Sequence, residues 1–147
     1  MVQINVSPFV LKESRFRIDQ FNFEKHVSSV EVVPTTPIVK WKGLTKDSSF
    51  SLTGNSDWVC NLAYAQDWNT PNSLSRFLYD REGETFDGEF TPIAGGLGFG
   101  VSITVVPGSM GGAVDGTAVA TVTLGVNGRP TIVDGVDPVA SNVEPVV

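Results

Sequence analysis

The sequence contains one cysteine, one histidine and few charges. Cys60 alone cannot close an intrachain disulfide, which fits a reducing compartment without requiring one. A zinc site of the usual ligands needs more than His26 and Cys60 supply. His26 therefore reads as a partly exposed strand residue. No stretch approaches the roughly 20 apolar residues that cross a bilayer. The N-terminus lacks the basic segment and apolar run of a secretory leader, so we expect a soluble chain with no membrane contact. The sequon Asn5-Val6-Ser7 is then a chance match.

Charged residues make up 18% of the chain, against about a quarter in ordinary domains. Ten Lys or Arg face sixteen Asp or Glu, a net charge of −6. Residues 1–66 hold seven cations and six anions, whereas residues 67–147 hold three and ten. Tight nucleic-acid binding needs cations that displace phosphate counterions, and the second half has few. An acidic surface can still face DNA without holding it.

What is present is a β pattern. The 147 residues, 41% of them hydrophobic, suit one domain with a core of its own. Val2, Ile4 and Val6 alternate with polar residues, and Pro8 restricts that segment to a sheet edge or an extended arm. Phe16 and Ile18, then Phe21, Phe23 and Val27, predict two strands or one bent one. Trp58, Cys60, Leu62 and Tyr64 share one face of a further strand. Three more follow in "ETFDGEFTP", "FGVSITVVPG" and "TAVATVTLGV". In the first, Phe86, Gly88 and Phe90 point one way, and Thr85, Asp87, Glu89 and Thr91 the other. Such half-buried strands belong to antiparallel sheets with one solvated face.

One amphipathic helix interrupts this pattern, at about 71–82. Leu74, Phe77, Leu78 and Arg81 lie at helical spacing, so Leu74, Phe77 and Leu78 should pack on the core. Thr70 or Asn72 can cap it, Pro71 suits its first position and Gly83 its end. Arg76 and Asp80 can pair across one turn. Residues 34–56 are rich in turn formers and read as a long, partly basic loop carrying Lys40, Lys42 and Lys46, with a possible short strand at 38–42. The reading is mainly β: an antiparallel sandwich with one flanking helix, a single domain over 1–133 and a flexible tail over 134–147.

Local chemistry gives no enzyme and no cofactor. "PGSMGG" around Ser109 has Pro107 where a nucleophile elbow needs glycine. "GGLGFG" precedes a strand and has the wrong spacing for a dinucleotide fingerprint. Asp87 and Glu89 on alternating strand positions make a solvated acidic face rather than an acid–base pair. Trp41, Trp58 and Tyr64 are core or interface residues more often than a sugar platform.

Several ordered segments resemble the major tail (tail tube) proteins of long-tailed actinobacterial phages. They are "YAQDW", the "SLSRFL" helix, the strand ending "FTP", and "PGSMGGAVDGTAVATVTLGV", all between about Trp58 and Pro130. The resemblance implies two antiparallel sheets with a flanking helix. It also implies hexameric rings stacked into a hollow tube, in a virion tail built in the bacterial cytoplasm. Its partners would be other copies, a tape-measure protein inside, and terminator and baseplate or tail-tip proteins at the ends. Genomic DNA would pass through without specific binding. Within that frame, Thr85, Asp87, Glu89 and Thr91 are expected to line the lumen. The loop lysines Lys40, Lys42 and Lys46 are expected to meet the next ring. Rival readings are a capsid decoration or tail-tip adhesion domain, or a glycan-binding module.

Overall fold

The computed structural model describes residues 2–93 and 95–133; the expected tail, 134–147, lies outside them. β1 (Arg15–Ile18) and β2 (Phe21–Asn22) form a small hairpin whose turn residue Asp19 has φ 56°. β3 (Val27–Thr35) pairs with β6 (Asp57–Ala65), and β6 with β9 (Val119–Val126). β1 pairs with β7 (Thr85–Thr91), and β7 with β8 (Gly98–Thr104). β10 (Thr131–Val133) adds to the start of β8. Every one of these pairings is antiparallel.

The strands form one path, β2-β1-β7-β8-β9-β6-β3. The β8–β9 join, however, consists of two pairs only, Ile103–Val126 and Thr104–Gly125. At that narrow join the sheet folds over on itself. Phe16, Ile18, Val101 and Ile103 from one half meet Cys60, Leu62, Tyr64 and Leu124 from the other in a single buried cluster. The result is an antiparallel sandwich. Burying each large side chain stabilises it by about 1.5–3 kcal/mol. A one-residue slip would turn a whole strand's set to solvent, so the alternation fixes the register.

The helix α1 (Leu74–Asp80) is shorter than the sequence suggests. Asn72 takes φ 62°, a left-handed conformation that no α-helix continues through. Pro71 therefore sits in the preceding turn, and neither Thr70 nor Asn72 is the cap. Ser73 holds that position, but its hydroxyl donates to the Asp67 carbonyl instead of capping the helix. Leu74, Phe77 and Leu78 are buried. The Phe77 ring lies 5.7 Å from Phe21, 5.5 Å from Phe23 and 5.2 Å from Phe86, closing one end of the sandwich. The Arg81 guanidinium covers Phe77 and Phe86 at 5.5 and 5.8 Å, a cation–π lid on that cluster. Gly83, at φ 87°, turns the chain so that its N–H reaches the Val105 carbonyl at 3.0 Å.

The loop expected over 34–56 is mostly strand. Between β3 and β6, β4 (Ile38–Lys42) and β5 (Ser49–Thr53) pair as a hairpin. Thr36 and Pro37 stand opposite Gly54, Asn55 and Ser56, so the ladder slips by one residue at that point. The Thr36 and Ser56 hydroxyls bond at 2.5 Å, and the Gly54 N–H donates to the Pro37 carbonyl at 3.0 Å. The hairpin thus prolongs the β3–β6 ladder as an arm reaching beyond the sandwich.

Candidate functional site

The described residues present broad strand faces with shallow hollows between them. Among the described residues, no three His, Cys, Asp or Glu side chains gather as a metal site. Burial in the core pushes the Cys60 thiol up to about 12, so it is no nucleophile at neutral pH.

The outer face of β7 carries the predicted lumen residues. Thr85 and Asp87 are exposed and Glu89 is half-buried. Thr91 is a correction: it is 8% exposed. It lies at the strand end where Gly98 passes so closely that an added Cβ there would stand 3.0 Å from the Thr91 hydroxyl. The face is also not uniformly acidic. Register places Arg17 of β1 directly beside Glu89, with 3.7 Å between guanidinium and carboxylate. Both side chains are more than a third exposed, at 42% and 38%, so the pair contributes at most about 1 kcal/mol. Arg17, Asp87, Glu89, Ser102, Arg129 and Thr131 ring a shallow hollow of about 330 Å³.

The second half of the sandwich has a polar outer face of different character. Glu31, Asn61 and Thr123 lie in register across β3, β6 and β9. The Thr123 hydroxyl donates to Asn61 Oδ1 at 2.8 Å. Ser29 and Thr121 flank them beside a hollow of about 340 Å³. No Lys or Arg stands on these three strands.

The hairpin arm is amphipathic. Val39 opposes Leu52 and Trp41 opposes Phe50, so these four share a face. Trp41 and Phe50 stack with ring centroids 6.1 Å apart. All four are exposed, as is Leu44 at the tip. Lys40 and Lys42 lie on the opposite face by strand alternation, and Lys46 lies in the tip turn. The lysines invited attention in the sequence. The apolar face was missed because "SSFSLT" reads as turn-rich until Phe50 and Leu52 are set against Trp41 and Val39.

The turn before α1 is tied down by polar bonds. Asp67 accepts the N–H groups of Asn69 and Thr70 at 3.0 and 3.1 Å. The Thr70 hydroxyl and these two N–H groups hold its carboxyl below the usual range. Trp68 meets Tyr79 of the helix edge-on at 6.4 Å and donates to the Gln66 side chain at 3.1 Å. Arg76 pairs loosely with Asp80 at 3.8 Å. Tyr64 is wholly inside, with its hydroxyl against Gly108.

No protein-family model matches the chain, and neither does any curated protein sequence. Solved structures do match in fold. One is the sheath/tube terminator of the PVC extracellular contractile injection system in its extended state. Its TM-score is 0.63 at 13% identity, covering 86% of this chain and 97% of the other. A chain of the sheath–tube complex of the same system matches with TM-score 0.63 at 14% identity, covering 86% and 92%. The fold is therefore shared over most of this chain with components of an extracellular contractile injection system.

Proposed function

We propose that the chain is a structural subunit of a phage tail tube, closing into hexameric rings that stack around a DNA conduit. The observation that carries this is the uncovered apolar face of the β4–β5 arm. An isolated subunit gains nothing from Trp41, Phe50, Val39 and Leu52 in water, whereas a repeating contact buries them in every copy. The fold shared with components of a sheath–tube complex supports the same reading. Tape-measure, terminator and baseplate proteins are the partners such a tube would have. No part of this role needs catalysis.

The arm is proposed as the ring-to-ring contact. Its apolar face drives the docking, and Lys40, Lys42 and Lys46 meet acidic residues of the neighbour. For the conduit wall we propose the β7 face, with Thr85, Asp87 and Glu89. The β3–β6–β9 face is a second reading, favoured by its lack of cations, which would otherwise hold phosphate. A tube-end role is a further reading for the whole chain, favoured by the similarity to a terminator. A terminator would make one ring and stop, whereas a tube subunit continues.

Sedimentation velocity over a range of protein concentrations tests the arm. Wild type is expected to form large closed species. Trp41→Asp with Phe50→Asp is expected to leave a folded chain that sediments far more slowly. Equal assembly by the variant would remove the arm from the account.

A further inference from the structure

One segment has no role in the faces above. Residues 2–11 belong to no helix or strand. Val2, Ile4 and Val6 are 85%, 77% and 83% exposed, although they alternate as a strand does and no charged residue precedes Lys12. Among the described residues, only the root of this arm meets the sandwich, through the parallel bridge Lys12–Ile93 and at Phe9 and Leu11. Those two side chains line the open flank of the sandwich. Two adjoining hollows run there, of about 320 and 490 Å³, sharing Leu11, Val30 and Phe90. Above them β3 is an outermost strand of nine residues, paired among the described residues on one side only, with β6. The other strand ends of the sheet, β2 and β10, have two and three residues.

We infer that Val2–Ser7 of one copy adds as a strand to the free edge of β3 in a second copy. A long unpaired edge is a template for a strand. The six residues of the arm can lie along part of the nine of β3, and the arm matches it in face. Val30 and Val32 of β3 turn toward the core and border the hollow, while Ser29 and Glu31 turn out. An added strand repeats that alternation: Val2, Ile4 and Val6 cover the apolar hollow, and Gln3, Asn5 and Ser7 join the polar face. Pro8 ends the ladder, because it has no N–H to donate. The arm's own subunit leaves these residues in water, so the occupant is a second copy of this chain. The proposal deepens the self-assembly reading and rests on it.

Disulfide cross-linking of two separately made variants, mixed in air-saturated buffer with dissolved oxygen as the oxidant, tests it. One carries Asn5→Cys; the other carries Ser29→Cys, Glu31→Cys or Val33→Cys. The native Cys60 is buried and stays silent. A disulfide between the two preparations joins two copies by construction, whether or not a ring closes. An absence of rings and an absence of arm seating are thus separate results. Seating raises the local thiol concentration to about millimolar, so mixed dimers at micromolar protein should form about 10²- to 10³-fold faster than by collision. Thr123→Cys, two strands away from the edge, should show only the collisional rate. Adding Ile4→Asp and Val6→Asp to the arm should abolish the enhancement, and both positions are exposed, so folding is unaffected. Equal rates at the edge and at Thr123 would overturn the proposal. So would a chain carrying both cysteines that closes an intrachain bond at high dilution.

Discussion

Gln66 and Gly111 hold each other through two reciprocal hydrogen bonds. The Gln66 amide donates to the Gly111 carbonyl at 2.7 Å, and the Gly111 N–H donates back to Gln66 Oε1 at 2.9 Å. The same amide donates to Val119 at 2.9 Å, and the Gln66 backbone N–H donates to Ala118 at 2.9 Å. One side chain therefore fastens the long β8–β9 connection to the turn that launches the helix.

Replacing Gln66 with Ala keeps the backbone bond to Ala118 but leaves the partners of the side chain to solvent. Each bond contributes about 0.5–1.5 kcal/mol net, and exposure places the loss at the low end, about 1–2 kcal/mol in total. Chemical denaturation should show that loss, and amide exchange should rise over residues 106–118.

Gly108 is required by contact. A Cβ there would overlap the Tyr64 hydroxyl, which the core holds in place. Gly108→Ala should cost about 1–3 kcal/mol, the usual range for overpacking. Tyr64→Phe removes the oxygen and should recover most of that loss in the double variant. Thermal melts of the four species complete the cycle.

Asp67 ties stability to acid. Its carboxyl titrates below its ordinary 3.8 in the folded chain. The folded state therefore favours the ionised form, and this contribution is complete above the unfolded value. It is lost as pH falls through the folded value. Asp67→Asn keeps an acceptor for the turn but no charge. The melting temperatures of wild type and variant should differ at pH 6 and converge as the pH is taken well below 3.8.

The two polar faces differ in what charge reversal would do. With Asp87→Lys and Glu89→Lys, assembled particles should retain DNA in a nuclease-protected form if β7 lines the conduit. Each new phosphate contact should steepen the salt dependence of log K by about 0.9. Protected DNA with Glu31→Lys and Thr123→Lys, and none with the β7 pair, would move the wall to the other face.

Much of the fold was legible because alternation is a strong constraint where one face is buried. Phe86 and Phe90 against Asp87 and Glu89, and Cys60 and Leu62 against Asn61, identify strands and faces at once. The helix ends were less legible. Pro71 suits a first helical position by preference, but the left-handed Asn72 behind it moves the start to Leu74. Thr91 shows the limit of alternation: it falls on the polar side of the pattern yet is buried, between Arg15 of β1 and Gly98 of β8. The Arg17–Glu89 neighbourhood arises from pairing between distant strands, which no local pattern reveals. The arm's apolar face was hidden likewise. Its period is plain only once β4 and β5 are laid side by side.

Electron microscopy of the purified protein, concentrated at several salt levels, tests the central claim most directly. The account predicts uniform rings with a central hole, stacking into tubes of constant width. Particles that remain single subunits at every concentration and salt level, with no hollow species, would contradict it.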